Sequence, residues 1–371
     1  MTPDFCNIQI PPHLPTRAAT VQTNISYTKY GIVIYDRSNK ILLDPKRYDH
    51  CDFTFISHAH SDHLAEKNNR SRSTLLMSKA TCLIARSRGY KIDDFVEEYD
   101  GFELIDNGHI LGSKGLLIDD YIYYTGDISI RERGFMKPAN LPVVDTLIIE
   151  STFGKSEYIF PSITEVVHKT NNIISELYDR GVPVILMGYS LGKAQVLTEL
   201  FANWGPVYLH ESIQKMNSIY RELGIPLIET LSHTDAFSQG LLSKDKPWIM
   251  IAPLARSGSN FVKFMKSTYG AVTIGFSGWA MDRRYKFIMG LDYALPLSDH
   301  CDFHELIRVV ERCNPKKIYT HHGFAAEFSS YLRNMGFDAE PLCCTNTLKA
   351  KPTGKIKNTM QVTNHCLDIY M

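Results

Sequence analysis

The fold is decided by residues 53–63, whose sequence is Phe53-Thr54-Phe55-Ile56-Ser57-His58-Ala59-His60-Ser61-Asp62-His63. The apolar residues 53–56 predict a buried strand, and the polar residues after them predict a tight loop. That loop carries three imidazoles and a carboxylate, which are ligands of zinc and similar divalent ions. Histidines this close together would repel one another when protonated, so an ordinary polar loop is a poor explanation. The stretch therefore predicts a metal site at the end of a strand.

The composition is that of an ordinary globular chain. Its 371 residues are 44% hydrophobic, and 40 basic residues balance 40 acidic ones. Net charge therefore indicates neither nucleic acid nor an anionic membrane as a partner, and any polyanion site must be local. No stretch approaches the roughly 18–20 apolar residues of a membrane span, and the eight cysteines form no CxxC pair. We expect a reduced, cytoplasmic protein with no membrane partner.

The middle of the chain alternates strands with helices. Residues 182–187 predict a buried strand, residues 193–203 have helical periodicity, and the same succession repeats over 207–223 and 248–267. Such alternation predicts a small parallel α/β unit, which we place at residues 158–276. Residues 351–371 predict a basic tail that is either an extension or a late edge strand.

Further ligand-type residues follow later predicted strands. His109 lies in the glycine-flanked segment 108–113, where the absence of side chains lets the backbone approach an ion closely. Asp127 follows the strand predicted at 121–124, and His322 follows the strand predicted at 317–320. Together with the opening loop they provide enough ligands for two ions.

These residues carry a resemblance to known families. Asp44, the HxHxDH run of residues 58–63, His109 and Asp127 resemble the successive motifs of the metallo-β-lactamase superfamily. Three later segments resemble the additional motifs of the β-CASP nucleases, and further segments resemble the short β-CASP proteins known as ligase-associated DNA exonucleases or mRNA 3′-end processing factor-like exonucleases. The additional motifs are Glu150-Ser151-Thr152-Phe153-Gly154, Ser298-Asp299-His300 and His322-Gly323, and the further segments are 189–195, 205–210, 277–279 and 297–302.

The resemblance covers residues 24–342 and implies an α/β fold. The core would be the four-layer αββα metallo-β-lactamase fold, with a small parallel α/β β-CASP cap domain inserted into it. Residues 1–157 would form the first part of the core and residues 158–276 the cap. Residues 277–350 would complete the core, and residues 351–371 would form the tail.

The resemblance also implies a ligand set for two divalent ions, with zinc favoured over manganese. His58, His60 and His109 would bind the first ion, Asp62, His63 and His322 the second, and Asp127 both, while Asp44 would orient a ligand imidazole from behind. The family places the ligand directly before a glycine, which favours His322 and leaves His321 a structural or supporting role.

The mechanism implied is in-line phosphodiester hydrolysis. A hydroxide shared by the two ions would attack, with Asp62 orienting it. His300 would be the general acid, positioned by Glu150, which would raise the pKa of the histidine. From the residues alone, Glu150 could instead cap the turn that follows it, and His300 could instead begin a helix.

Four residues are candidate phosphate contacts: Ser190, Lys193, Arg283 and Arg284. The first two lie where an apolar strand meets a helix N-terminus, a common place for phosphate. The spacing of Gly188 and Gly192 does not match a nucleoside-triphosphate loop. A plain turn with a solvated lysine is the alternative.

The leading hypothesis is a DNA exonuclease that trims single-stranded ends in repair, with a ligase as one conceivable partner. An RNA-processing β-CASP ribonuclease is the first alternative, because no feature of the sequence indicates a group that would recognise a 2′-hydroxyl and so distinguish RNA from DNA. Two others are a small-molecule hydrolase such as a lactonase or a β-lactamase-like enzyme, and a non-catalytic scaffold. The sequence leaves the polarity of cleavage and the oligomeric state open.

Overall fold

The computed structural model describes residues 23–37, 39–67 and 70–342, so the predicted basic tail at 351–371 lies outside the described residues. Within them the chain forms three β-sheets with helices between and around them. The strands are β1 (Asn24–Thr28), β2 (Gly31–Asp36), β3 (Asn39–Leu43), β4 (Phe53–Phe55), β5 (Thr74–Leu76), β6 (Phe102–Asp106), β7 (Lys114–Ile118), β8 (Ile122–Tyr124), β9 (Thr146–Glu150), β10 (Val184–Gly188), β11 (Val207–Leu209), β12 (Ile249–Pro253), β13 (Val272–Phe276), β14 (Tyr293–Leu295), β15 (Lys317–His321) and β16 (Ala339–Pro341).

The helices begin at polar residues that cap them. Ser162 and Glu165 form a reciprocal capping box at the start of α2, as Asp302 and Glu305 do at the start of α8. The helices are α1 (Lys79–Ser87), α2 (Ile163–Asp179), α3 (Lys193–Leu200), α4 (Glu211–Glu222), α5 (His233–Ser238), α6 (Asn260–Tyr269), α7 (Arg284–Met289), α8 (Phe303–Cys313) and α9 (Ala325–Asn334), with a short 3₁₀ helix at Gly278–Met281. Among the described residues, every helix is too short or too polar to cross a bilayer.

The first sheet contains β1 to β5 in chain order. Its first two pairings are antiparallel and its last two parallel. The parallel register of β3 and β4 pairs Leu43 with Phe55. As a result Asp44 and the loop after β4 leave the same edge of the sheet side by side.

The second sheet has the order β16-β15-β9-β8-β7-β6. Strands β8, β9 and β15 run parallel to one another, so their carboxyl ends meet at one edge. Asp127 follows β8, Glu150 ends β9 and His322 follows β15. Buried residues of the first and second sheets, including Phe55 and Ile148, share one apolar cluster, and α8 and α9 pack with the second sheet in another. The packing brings the polar edges of the two sheets together.

The third sheet has the order β11-β12-β10-β13-β14 and is parallel throughout. Strand β10 is buried along its whole length, as expected of a central strand covered on both faces. The loops after β10 and β14, residues 189–192 and 296–302, leave its carboxyl edge; the first leads into Lys193 at the start of α3, and the second carries His300. The mixed α/β class predicted from the sequence is confirmed. The four-layer arrangement and the cap boundaries stay predictions, and the parallel sheet itself continues past residue 276 to β14.

Candidate metal centre

Seven side chains that the sequence marks as ligands lie close together where the first and second sheets meet. We call them the central cluster: His58, His60, Asp62, His63, His109, Asp127 and His322. Ligand-type atoms of two subsets lie within 4.8 Å of one another, and either subset could hold a metal ion. The first group is His58, His60, His109 and Asp127, and the second is His63, Asp127 and His322. Asp62 lies beside the second group, with Oδ2 3.6 Å from Nε2 of His63.

The first group has the spacing of a coordination shell. Nδ1 of His60 lies 3.0 Å from Nε2 of His58 and 3.1 Å from Nε2 of His109. Oδ2 of Asp127 lies 3.5 Å from Nε2 of His58 and 3.6 Å from Nε2 of His109. Ligands held about 2.1 Å from one ion lie roughly 3.4 Å apart in a tetrahedral site. The four side chains therefore match the ligand separations of a zinc-sized ion.

The hydrogen bonds behind the rings define which nitrogens are free to bind an ion. Nε2 of His60 contacts the carbonyl of Leu191 at 3.2 Å, and Nδ1 of His109 contacts the carbonyl of Asp299 at 3.0 Å. A carbonyl only accepts, so these nitrogens carry the hydrogens, and Nδ1 of His60 and Nε2 of His109 present bare lone pairs to each other. Burial lowers the pKa of both rings, which favours this neutral form. A cation between the two lone pairs would relieve their repulsion.

His58 and His63 are held from behind by Ser57 and Asp44. Oγ of Ser57 donates to Asp44 at 2.5 Å and accepts from Nδ1 of His58 at 2.9 Å, while Nδ1 of His63 donates to Asp44 at 2.8 Å. Asp44 also accepts from the Tyr124 hydroxyl at 2.8 Å. Such partners fix ring orientation in metal sites. The structure thus places Asp44 where the sequence analysis expects a supporting carboxylate.

The carboxylates of the central cluster lack the partners that buried carboxylates normally have. Among the described residues, neither oxygen of Asp62 and neither oxygen of Asp127 has a hydrogen-bond partner, although all of them are buried. Buried carboxylates without partners are costly unless a cation compensates them. Burial opposes protonation of His63, but the negative charges of Asp127, Asp62 and Asp44 raise its pKa well above the ordinary value. The residues present therefore fit a divalent ion in both groups.

Glu150 and His300 lie beside the central cluster. Nδ1 of His300 donates to Oε1 of Glu150 at 2.9 Å, and its Nε2 lies 4.0 Å from Oδ2 of Asp127. Glu150 is itself held by the backbone N–H groups of Ile128 and Thr152 at 2.8 and 3.2 Å. Burial opposes protonation of His300, but Glu150 and Asp127 outweigh it and raise the pKa to about 9. The raised pKa favours a protonated His300 ring at neutral pH, and Nε2 is the ring nitrogen on the side of Asp127.

His321, the last residue of β15, and His322, the residue after it, differ. His322 has φ of +63° and belongs to the second group. His321 is buried against the Tyr124 ring, and burial together with His322 lowers its pKa to about 3. Among the described residues its Nε2 has no hydrogen-bond partner. The structure therefore brings His322 and not His321 into the cluster.

The four candidate phosphate contacts are less closely grouped. Lys193 lines a narrow cavity with His60, His109, His300 and other residues, but Ser190, Arg283 and Arg284 are not among the residues that line it. The Lys193 side chain is 2% exposed and pairs with Asp299, so it is not a solvated lysine. Arg284 is exposed and pairs with Asp282 at 2.7 Å. Among the described residues, no hydrogen bond or ion pair joins these four side chains to one another.

Sequence reasoning missed several residues that hold the cluster. Arg133 is buried and donates to the carbonyls of Gly108 and His109 at 2.5 and 2.9 Å. The carbonyls of Leu191 and Asp299 anchor two imidazoles, as described above. No motif marks Arg133, and a carbonyl acceptor carries no signature in sequence. The sequence analysis explains Gly108 by close approach of the backbone to an ion. A Cβ at Gly108 would instead lie 2.2 Å from the Ser129 carbonyl, so the close approach is to protein backbone.

Another set of ligand-type residues lies away from the central cluster. We call it the peripheral cluster: His210, Glu211 and His233. Nδ1 of His210 accepts from the Ser212 backbone at 3.3 Å, and Nδ1 of His233 lies 2.9 Å from Glu211. Glu211 and His233 are the first residues of α4 and α5, where the helix dipole disfavours a cation. We assign no metal site to it.

Comparison with known proteins supplies relatives but no family model that matches. The chain is 34% identical over 302 residues to a probable DNA ligase of Opitutus terrae, which covers 77% of this chain and 28% of that protein. It is 36% identical over 128 residues to the transcription termination factor FttA of Methanocaldococcus jannaschii, a match that covers 30% of this chain and 20% of that protein. An RNase J-like protein of the same organism is 23% identical over 266 residues, a match that covers 60% of this chain and 63% of that protein. The chain thus spans less than two thirds of each of these relatives.

Proposed function

The chain belongs to the β-CASP group of the metallo-β-lactamase superfamily, and on this premise we propose that it is a metal-dependent nuclease that hydrolyses phosphodiester bonds. His58, His60 and His109 would hold one divalent ion, Asp62, His63 and His322 would hold the other, and Asp127 would contribute to both. When bound, two such ions lower the pKa of a water molecule and stabilise the charge that develops on a phosphoryl group. Zinc suits this mixture of imidazole and carboxylate ligands best, with manganese as the other candidate.

The observation that carries the proposal is the position of His300. Its cationic ring is held by Glu150 and presents Nε2 4.0 Å from Asp127. A protonated imidazole there donates its proton to the oxygen that leaves phosphorus, and Glu150 stabilises the positive charge until transfer. A metal centre alone would serve many hydrolases. An acid poised beside it suits a substrate whose leaving group is an alkoxide, as in a nucleic acid chain.

The surrounding residues exclude water and hold the ligands. Leu191 and Asp299 orient His60 and His109 through their carbonyls, and Asp44 orients His63. Residues 158–276 act as a cap over the centre, because the loop after β10 packs directly on His60. Arg283 and Arg284 are exposed cations suited to contacting the substrate backbone.

DNA is the preferred substrate, cut by exonuclease action on single-stranded ends. Similarity to a ligase-named protein over 77% of this chain supports DNA. RNA is the second candidate, supported by the similarity to a protein named RNase J-like. Association with a ligase is part of the same proposal and rests on that one relative.

The experiment compares end-labelled single-stranded DNA and RNA of equal sequence, each incubated with purified protein loaded with zinc or manganese. Stepwise shortening of the DNA is expected, with no shortening by Asp127→Ala prepared in parallel. Degradation that survives this substitution would exclude the metal centre as its source. Shortening of RNA alone would replace the DNA assignment with RNA processing.

A further inference from the structure

The two groups of the central cluster share one support and differ in another: Ser57 and Asp44 hold His58 of the first group as well as His63 of the second. His63 of the second group is anchored by Asp44, which follows β3 in the first sheet. In the first group, His60 and His109 are anchored by the carbonyls of Leu191 and Asp299, which follow β10 and β14 in the third sheet. The third sheet therefore supports two members of the first group, and among the described residues it makes no corresponding hydrogen bond with His63.

A buried ion pair joins the two anchoring loops. Nζ of Lys193 lies 2.9 Å from Oδ2 of Asp299, and the two side chains are 2% and 5% exposed. Lys193 is two residues after Leu191, so the pair connects both anchoring carbonyls through short pieces of backbone. Because both side chains are shielded from solvent, each depends on the other to compensate its charge.

The loop that leads into Lys193 also packs on the loop that carries His109. Gly192 has φ of +86°, and a Cβ there would lie 2.3 Å from the Ile110 side chain. Arg133 also joins the loops that carry His109 and Asp299. It donates to the His109 carbonyl at 2.9 Å and contacts the Ser298 carbonyl at 3.5 Å. Little room is left for these loops to move without turning the His60 or His109 ring.

We propose that Lys193 is a positioning residue for the first ion: through Asp299 it holds the carbonyls that orient His60 and His109, and so sets the affinity of that group alone. This rests on the proposed metal centre. Lys193 touches neither ion nor substrate in this role. Partners behind metal ligands typically change metal affinity by about 10–100-fold, which sets the expected size of the effect.

The test measures zinc affinity by competition with a chromophoric chelator, using the full chain. Wild type should bind two ions tightly. Lys193→Gln should bind one with unchanged affinity and the other about 10–100-fold more weakly, whereas Lys193→Arg should restore much of the loss. Lys263→Gln removes an exposed lysine on α6 and serves as the matched control. Equal weakening of both ions, or of neither, would overturn the proposal.

Two further sets of variants identify which ion is weakened and control for misfolding. Adding His322→Gln to Lys193→Gln should remove the remaining tight ion, and adding His60→Gln should leave it. Because Lys193→Gln leaves Asp299 buried and unpaired, the double variant Lys193→Met with Asp299→Asn removes both charges. It should fold as wild type by circular dichroism and still lose affinity for the first ion, and normal affinity in it would overturn the proposal. A wild-type chain that binds no tight ion would instead defeat the proposed metal centre itself.

Discussion

The central and peripheral clusters contain the same kinds of side chain but differ in how these are held. In the central cluster, four imidazoles each have one nitrogen fixed from behind by Ser57, Asp44 or a carbonyl, and the other directed inward. In the peripheral cluster, Nδ1 of His210 already accepts from a backbone N–H group, and Nδ1 of His233 already contacts Glu211. Convergence of ligand types is therefore not enough to define a metal site.

Burial and charge separate the two clusters further. The Asp127 side chain is 1% exposed, whereas that of Glu211 is 44% exposed. One oxygen of Glu211, Oε1, is buried without a hydrogen-bond partner among the described residues, but the side chain as a whole is partly open to solvent and the start of α4 favours its negative charge. In Asp62 and Asp127 both carboxylate oxygens are buried without such a partner among the described residues, and, against burial, the charges that lower the pKa of Asp127 come from neighbouring imidazoles. Complete burial of both oxygens among imidazoles is thus what distinguishes the central cluster.

The largest effect is expected for Asp127→Asn, which removes charge with little change of shape. Because Asp127 belongs to both groups, loss of metal affinity should exceed the roughly 100-fold typical of residues behind the ligands, and nuclease activity should disappear. Metal content after dialysis against chelator is the measurement. Glu211→Gln makes the equivalent change in the peripheral cluster and should alter neither metal content nor activity. Equal effects in the two variants would contradict the distinction between the central and peripheral clusters.

His300→Gln should separate catalysis from metal binding. Loss of the general acid is expected to lower kcat about 10²–10⁴-fold while both ions stay bound. Single-turnover cleavage and metal content of the same preparation give the two values. His233→Gln is the matched control and should cleave as wild type. Asp127, Glu150 and His300 also lie close enough to hold an ion together, so metal loss in His300→Gln would mean that His300 is a ligand.

Asp44→Asn should weaken the second ion by about 10–100-fold, since His63 would lose a charged acceptor while keeping a neutral one, and should weaken the first ion less, since His58 is linked to Asp44 only through Ser57. Chelator competition should show one affinity lowered more than the other. Activity should fall with occupancy and recover at high zinc concentration. If neither affinity changes, the carboxylate behind His63 does not tune the centre.

The smallest effect is expected at the surface. Arg283→Gln and Arg284→Gln should leave the free energy of unfolding within about 0.5 kcal/mol of wild type. If each contacts one phosphate of a single strand, each should reduce the slope of log affinity against log salt by roughly 0.7. Oligonucleotide binding to Asp127→Asn, followed by fluorescence anisotropy across salt concentrations, measures this. An unchanged slope would remove these arginines from the substrate path.

The candidate ligands can be recognised from the sequence because they lie in short motifs at or near the ends of strands. Residues 58–63 place four of them on one loop, and the strand–helix alternation after residue 182 predicts the parallel sheet. Helical periodicity over residues 193–203 predicts a helix there, and α3 covers Lys193–Leu200. The short α5 was not predicted, since six residues give too little periodicity.

The supports behind the ligands were not accessible in the same way. Leu191 and Asp299 act through main-chain carbonyls, which every residue possesses, and their contacts join segments about 131 and 190 residues apart. Arg133 was missed because its role depends on the packing of the loops that carry His109 and Ser298. Side-chain chemistry can be inferred from local pattern, whereas orientation by distant backbone requires the fold.

The most direct test counts the ions. Native mass spectrometry of zinc-loaded wild type, after removal of loosely bound metal, should show two ions per chain, and Glu211→Gln should show the same two. Asp127→Asn should show neither ion at full occupancy. One ion per chain in wild type, or three with one lost in Glu211→Gln, would contradict the assignment of a two-ion centre to the central cluster alone.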